Sequence, residues 1–366
     1  MHILNNVALS DYTTFQIGGK ASYFANPNSL DELRQAVHFA KENALPIFIL
    51  GAGSNLLVSD KGFGGLVIKP GMKQIRFSES GKDTLLTADA GCRWDDVVAA
   101  ACEKNLSGIE ALSGIPSSAG GAVVQNIGAY GQEISNTLVC VEVYDTKTDE
   151  CRILYKPSLK MQYRQTALKN HPEAGLIVLN ITLQLTHYQA AKMTALCKSR
   201  NYANIVQSKP KTASAFREII LENRNSKSLC TDADNPDARC AGCFFTNPIV
   251  PQVEGEQIIA FCKWELKCDL PTYEDENGIK LSAAWLIEHA GFSKGFRLGN
   301  AAISHAHSLV ITNPGNATCE DVLALANLIV KKVYDTFKVT LMPEVVYLAP
   351  EGIQPVPLNS PETNQI

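Results

Sequence analysis

The sequence predicts an α+β protein, with strands and helices intermixed from residue 1 to about 187 and a second α+β unit over residues 238–348. Three observations carry that reading. Ser29-Leu30-Asp31-Glu32 is a capping box, and Leu30, Leu33, Ala36, Val37 and Ala40 follow it at helical spacing. Leu179-Asn180-Ile181-Thr182-Leu183-Gln184-Leu185 alternates strictly, as a strand with one wet face does. Thr318, with Asp321 three residues on, opens a helix that buries Val322, Leu325, Ala326, Ile329, Val330 and Val333. The 366 residues, 45% hydrophobic and 19% charged, suffice for real cores in two or three domains and exclude disorder as the main state.

Taken in order, the first helix ends near Asn43. Pro46-Ile47-Phe48-Ile49-Leu50 is a short buried strand that runs into Gly51-Ala52-Gly53-Ser54-Asn55. Leu56-Leu57-Val58, Gly65-Leu66-Val67-Ile68 and Leu85-Leu86-Thr87-Ala88 read as further strands, and Trp94, Val97, Val98 and Ala101 mark a helix. Residues 188–226 read as a connecting region with helical stretches around Met193–Cys197 and Ala213–Glu222. Lys227–Asp237 is polar and reads as a surface loop. The tail 349–366 has four prolines and no periodicity, so a loose segment is expected there.

A formal charge of −4 and a pI near 6.0 exclude a general attraction to nucleic acid or anionic membrane. Eleven cysteines, an odd number spread thinly, do not form a secreted disulfide scaffold. The start Met1-His2-Ile3-Leu4-Asn5-Asn6 has no secretory pattern, and the two uncharged stretches are either alternating or too small and polar to span lipid. A soluble, cytoplasmic protein is expected.

Four motifs carry chemistry. Gly51–Asn55 departs from the dinucleotide fingerprint, since the third glycine is missing and a strand follows. It is either an ordinary hairpin turn or a nest of backbone N–H groups for an anion. Ser113-Gly114-Ile115-Pro116-Ser117-Ser118-Ala119-Gly120-Gly121-Ala122 lets backbone approach a ligand closely, as a flat cofactor with phosphates requires. Gln125-Asn126-Ile127-Gly128-Ala129-Tyr130-Gly131 continues that pattern. Cys240-Ala241-Gly242-Cys243 is a CxxC whose spacing to Cys230, Cys262 and Cys268 fits no common zinc module, and Pro248 opposes the helix of a redox dithiol. Two structural thiols or one catalytic thiol remain. Arg164 by itself reads as a surface charge, and Glu344 as a half-buried carboxylate at the mouth of Val345-Val346-Tyr347-Leu348, suited to acid or hydrogen-bond work.

In combination these motifs resemble the UDP-N-acetylenolpyruvoylglucosamine reductase (MurB) family of flavoenzymes, over nearly the whole chain. Thr14-Phe15-Gln16-Ile17-Gly18-Gly19, Gly51–Asn55, Ser113–Gly121, Gln125–Gly131, Tyr163-Arg164, Ala241–Pro248 and Pro343-Glu344-Val345 occur in the family's order. The resemblance implies an FAD-binding domain of the vanillyl-alcohol-oxidase type over residues 1–187, in lobes of about 1–69 and 70–187. A connecting region with a mobile loop follows at 188–226, then a substrate-binding domain at 227–348 and the tail at 349–366. It implies that glycine loops between strands hold the FAD, through Gly51, Ala52, Gly53, Ser54, Asn55, Gly114, Ile115, Gly120, Gly121, Asn126 and Gly128.

The implied reaction is NADPH-dependent reduction of UDP-N-acetylglucosamine enolpyruvate to UDP-N-acetylmuramate in peptidoglycan precursor synthesis. The resemblance gives Arg164 and a protonated Glu344 the stabilisation of the enolate-like anion. Cys243 stands where the family has a serine proton donor, and a thiol, of reference pKa about 8.5, is the stronger acid. Cys240 is close enough in sequence to trap it as a disulfide on oxidation. Tyr130, Tyr202, Lys227, Asn247 and His307 match substrate-side positions, Tyr202 that of a mobile-loop tyrosine found in one family class. A monomer with a small-molecule substrate is expected. The competing readings are an oxidase of the same fold, which has no use for Arg164, Cys243 and Glu344 together, a non-catalytic binding module, and more distantly a zinc enzyme.

Overall fold

A computed structural model of the protein describes residues 1–191, 210–226, 235 and 237–359. The stretch Met193–Cys197, most of Lys227–Asp237 and the end of the tail lie outside the described residues. The chain divides into two units. The first is Met1–Val7, Ala21–Ala52 and Gly64–Cys230; the second is Ala8–Lys20, Gly53–Phe63 and Thr231–Ile366. Two short early segments thus leave the expected 1–187 domain. Their apolar side chains decide this: Phe15, Ile17 and Leu57 are buried in the core of the second unit. The expected connector likewise contains a helix, α5 (Ala213–Asn225), whose Ala213, Phe216 and Ile220 complete the core of the first.

The first unit holds two sheets. β1 (Ile3–Ala8), β2 (Lys20–Ala25), β5 (Phe63–Ile68) and β3 (Ile47–Ile49) form one in the order β1-β2-β5-β3. Against it lies α1 (Leu30–Glu42), whose first-turn Glu32 N–H is capped by Ser29 Oγ at 3.2 Å and whose Leu33, Ala36, Val37 and Ala40 are buried. β6 (Ile75–Ser80), β7 (Asp83–Asp89), β11 (Leu138–Asp145), β12 (Glu150–Tyr155) and β13 (Leu176–His187) form the other, in the order β12-β11-β13-β7-β6. β8 (Leu106–Ser107) adds to β13. The alternation along β13 is real: Ile181, Leu183 and Leu185 are buried, while Asn180, Thr182 and Gln184 are not. α2 (Trp94–Glu103), α3 (Ala119–Val124) and α5 bury Trp94, Val97, Ala122 and Phe216 in one cluster with Leu86, Val141 and Ile181 of that sheet.

The second unit is assembled from distant pieces. β4 (Leu56–Val58) runs parallel to β21 (Val346–Ala349), with Leu56 opposite Val346. The tail is not loose where described. A two-residue turn at Pro350-Glu351 returns the chain as β22 (Gly352–Gln354), antiparallel to β21. Beyond it Val356 and Leu358 pack on the core, and Asn359 N–H donates to Asn327 Oδ1 at 2.6 Å. Prolines flank this strand instead of interrupting it, so they do not prevent pairing.

β14 (Cys240–Cys243), β18 (Arg297–Leu298), β19 (Ala301–Ile303) and β20 (Val310–Thr312) make a sheet in the order β14-β20-β19-β18. β15 (Ile249–Val250), β16 (Thr272–Asp275) and β17 (Gly278–Leu281) make a smaller one beside α6 (Gln252–Trp264). α8 (Cys319–Phe337) starts as expected, with Thr318 Oγ1 accepting Asp321 N–H at 3.1 Å and Asp321 Oδ2 accepting Thr318 N–H at 3.0 Å. Asp60 adds a further cap on Cys319 N–H at 2.9 Å. At the end of the expected surface loop, Asp237 is instead 2% exposed, because Ser304 Oγ and His305 N–H both donate to its Oδ2, at 2.7 and 2.8 Å. Among the described residues no helix is long and apolar enough to cross a membrane.

Candidate active site

In the first unit the Gln125–Gly131 motif folds into a tight hairpin. β9 (Gly128–Ala129) pairs with β10 (Gln132–Glu133), and Tyr130 and Gly131 form the turn with φ of 49° and 84°. Two successive left-handed residues are what a two-residue hairpin of this hand requires. A second tight turn presents Tyr163 and Arg164 between Gln162 and Gln165, whose backbones exchange hydrogen bonds of 2.9 and 3.1 Å. Arg164 is itself left-handed, φ 57°, a conformation that costs a non-glycine residue about 1–2 kcal/mol.

The guanidinium offsets that cost. Its Nη1 and Nη2 donate to the carbonyls of Asn126 and Gly128 at 3.2 and 2.8 Å. Lys169 Nζ, from α4 (Ala167–Asn170), donates to the Arg164 carbonyl at 3.1 Å. Asn126, expected on the cofactor, is fully buried and its side chain is spent inside the protein. Nδ2 donates to the Gln162 carbonyl and Glu133 Oε2 at 2.8 and 3.2 Å, and Oδ1 accepts Ser135 N–H at 3.2 Å. It therefore fastens one turn to the other. Tyr130, expected toward substrate, is 8% exposed and belongs to the first core.

The two glycine-rich motifs meet within this unit. A Cβ on Gly51 would lie 2.8 Å from Ser118 Oγ and 3.9 Å from Gly121 Cα, and one on Gly121 would lie 3.2 Å from the hydroxyls of Ser117 and Ser118. Lys69 Nζ donates to the Gly51 carbonyl at 2.6 Å. Burial, with Lys73 nearby, lowers the Lys69 pKa. A wall of glycine backbone edged by serine hydroxyls and a lysine fits the close approach of a flat, phosphate-bearing group such as FAD.

The expected glycine loop is partly helical. Ser118 Oγ accepts Gly121 N–H at 3.1 Å and caps α3, so Gly120 and Gly121 sit in its first turn. Gly120 faces Ala90, whose Cβ would be 2.9 Å from a Cβ added there. Gly114 donates its N–H to Asp95 Oδ1 at 2.6 Å and abuts Leu221 of α5, and Ile115 packs on the same core.

The second unit carries Cys243 and Glu344. Along β14, Cys240 pairs with Thr312 and Cys243 with Val310, so Ala241 and Gly242 together face one residue of β20. This bulge, with Gly242 at φ 71°, re-aims the side chain that follows it, a device common beside active sites. Neither cysteine forms a disulfide. Burial pushes the Cys240 thiol pKa up, against a hydrogen bond from Gly242 N–H that lowers it. Phe244 N–H then donates to the Leu309 carbonyl at 2.7 Å, and Glu344 N–H to the Phe244 carbonyl at 2.8 Å.

The early segments hold this arrangement. Asn55 Nδ2 donates to the Glu344 carbonyl at 3.1 Å, and Val346 N–H to the Asn55 carbonyl at 3.0 Å. Thr14 donates its N–H to the Gly53 carbonyl at 3.2 Å and its hydroxyl to the Cys240 carbonyl at 2.5 Å. A Cβ on Gly53 would lie 2.1 Å from the Tyr12 carbonyl oxygen. Gly53 is thus closed against chain, whereas Gly51, across Ala52, belongs to the wall described above; Ser54 follows in the same turn.

His307 is set by Ser304 Oγ, which accepts its N–H at 3.1 Å, and by Leu309 N–H, which donates to its Nδ1 at 3.2 Å. Nδ1 as acceptor puts the proton of the neutral ring on Nε2. Asn247 Oδ1 accepts Ala283 N–H at 2.9 Å, at the start of α7 (Ala283–His289). Tyr202 and Lys227 lie outside the described residues. Neither Thr14 as a support nor Asp237 as a buried anchor is visible in the sequence, where Thr14 only opens a glycine motif and Asp237 only ends a polar run.

Residues 21–153 match an FAD binding domain, and residues 234–348 match the C-terminal domain of UDP-N-acetylenolpyruvoylglucosamine reductase. The reductase of Thermobifida fusca is 38% identical over 348 residues, 94% of this chain and 97% of that one. The chain belongs to the UDP-N-acetylenolpyruvoylglucosamine reductase family. The reductase of Streptomyces avermitilis is likewise 38% identical, covering 95% of each chain. The crystal structure of the reductase from Thermus caldophilus superposes with a TM-score of 0.63 at 26% identity, over 95% of this chain and 99% of that one. As a member of this reductase family the protein is an FAD-containing oxidoreductase that uses NADPH in peptidoglycan precursor synthesis.

Proposed function

We propose that the protein reduces UDP-N-acetylglucosamine enolpyruvate to UDP-N-acetylmuramate with Arg164, Cys243 and Glu344 as its catalytic residues, as a monomer in the cytoplasm. Bound FAD supplies the hydride, taken from NADPH, and the protein handles charge and proton. Hydride arrives at the terminal alkene carbon and leaves negative charge on the adjacent carbon and its carboxylate. Arg164 meets that charge as a fixed cation, its guanidinium already oriented by two carbonyls. Glu344, as the acid, donates a hydrogen bond to it. Cys243 Sγ–H delivers its proton to the adjacent carbon, which completes the saturated lactyl ether. Tyr202, Lys227, Asn247 and His307 are assigned to substrate.

The observation that carries this reading is the 2.8 Å bond from Glu344 N–H to the Phe244 carbonyl. It sets a carboxyl-bearing residue on backbone adjoining the residue after Cys243, as a proton donor and its partner acid require. The test is NADPH oxidation by the purified yellow protein with and without the enolpyruvyl substrate. Oxidation that depends on substrate and consumes no oxygen supports the reductase; oxygen consumption indifferent to substrate favours the oxidase and sinks the assignment. A thiol donor works only while protonated, so activity falls as pH rises through its pKa. Cys243→Ser is expected to move that alkaline limb upward, and an unmoved limb removes Cys243 from the role.

A further inference from the structure

We infer that Asn55 is a positioning residue for Glu344, acting through the peptide that carries the acid and not through the cofactor. The inference rests on the proposed role of Glu344. β4 and β21 run in parallel register from Leu56 opposite Val346 to Val58 opposite Leu348, and Ser59 N–H extends the ladder to the Leu348 carbonyl at 2.9 Å. At the other end, the Asn55 carbonyl takes Val346 N–H at 3.0 Å. There the backbone ladder stops, two residues short of covering Glu344. The Asn55 side-chain amide continues it, donating to the Glu344 carbonyl at 3.1 Å.

The opposite side of the same residue is already bound. Glu344 N–H goes to the Phe244 carbonyl at 2.8 Å, and Pro343 before it bridges to Phe245. Val345 after it is 5% exposed and belongs to the core. With Asn55 in place both polar groups of the Glu344 backbone are fixed, so only side-chain torsions remain to the carboxyl group. An acid that must meet a developing charge gains most from such fixing, because its geometry has to hold to a fraction of an ångström. Asn55 is well suited to this, since its short planar amide carries a donor at the reach a backbone N–H would have had.

The experiment separates the two half-reactions of the FAD-loaded enzyme by rapid mixing, following flavin absorbance. NADPH reduces the flavin in one, and UDP-N-acetylglucosamine enolpyruvate re-oxidises it in the other. In Asn55→Ala loaded with flavin, re-oxidation by substrate is expected to slow about tenfold more than reduction by NADPH does. Asn55→Asp keeps the shape and loses the donor, and is expected to behave alike; it carries the test if the alanine variant does not fold. Combining Asn55→Ala with Glu344→Gln should slow re-oxidation no further than Glu344→Gln alone, because the two substitutions remove one function. Loss of flavin from both variants, an equal slowing of both half-reactions, or effects that multiply in the double variant overturns the inference. Failure of the underlying reading looks different: Glu344→Gln would then re-oxidise at the parent rate.

Discussion

The turn of Arg164 and the backbone of Glu344 are held by the same kind of bond over very different chain distances. Arg164 is fastened by the carbonyls of Asn126 and Gly128, 38 and 36 residues upstream within its own unit. Glu344 is fastened by Asn55, 289 residues away, and Cys240 by Thr14, 226 residues away. The first arrangement needs only two neighbouring hairpins. The second exists only when both ends of the chain have met, after the entropy of closing very long loops has been overcome. The second unit should therefore be damaged most by changes in segments far from its chemistry, and the first by changes at the chemistry itself.

The turn at 51–55 offers the sharpest way to break that contrast. Gly53→Ala puts a Cβ 2.1 Å from the Tyr12 carbonyl oxygen at a φ of 68°, and should cost about 3 kcal/mol or more. Gly51→Ala meets only the Ser118 hydroxyl at 2.8 Å, and should cost about 1 kcal/mol while weakening flavin binding. Urea unfolding with flavin titration compares them; equal losses of stability would erase the distinction.

Arg164→Lys tests the local half. One ammonium cannot span both carbonyls with a planar fork, so re-oxidation by substrate should slow about a hundredfold while stability falls by only about 1 kcal/mol. A comparable loss of stability would show that the guanidinium holds the fold more than the charge. Thr14→Val removes the hydroxyl bound to the Cys240 carbonyl and should destabilise by about 1 kcal/mol. That loss is expected to appear as a lower thermal midpoint; a variant as stable as the parent would mean the distant support is dispensable.

The smallest effect expected is one of pH on the first unit. Burial pushes the Asp95 carboxyl up, but the Arg217 guanidinium, at 2.5 and 2.7 Å, and Gly114 N–H outweigh it, and the pKa is lowered. A carboxylate with a depressed folded pKa stabilises fully above its unfolded pKa, near ~3.9, and loses that contribution as pH falls through the folded value. Urea midpoints between pH 6 and pH 3 should therefore fall more steeply in the parent than in Asp95→Asn. Parallel slopes would remove this link between α5 and the Gly114 turn.

Much of this was legible because the signals are local. The caps at Ser29 and Thr318 and the alternation of Leu179–Leu185 specify helices and a strand through contacts a few residues long, and the structure keeps all three. The order of seven short motifs pointed to the family, which the matches over both domains establish. The glycine motifs were harder. Gly51 and Gly53 look equivalent in sequence, yet one lines a wall with Gly121 and the other makes room for the Tyr12 carbonyl. The expected loop at Gly120-Gly121 is a helical turn because Ser118 caps it, a cap masked by the glycines around it.

Short-range signals in the sequence specified α1, α2, α5 and α8, the strands β3, β4, β5, β7 and β13, and core-facing residues within them. Those properties follow from propensity, capping and periodicity, all short-range. Only the tertiary structure decided which unit each segment joins, that the tail returns as a strand, and that Asn55 and Thr14 reach Glu344 and Cys240. A hydrogen bond across more than 200 residues leaves no periodic trace in one sequence, since its partners are brought together only by the packing of everything between them.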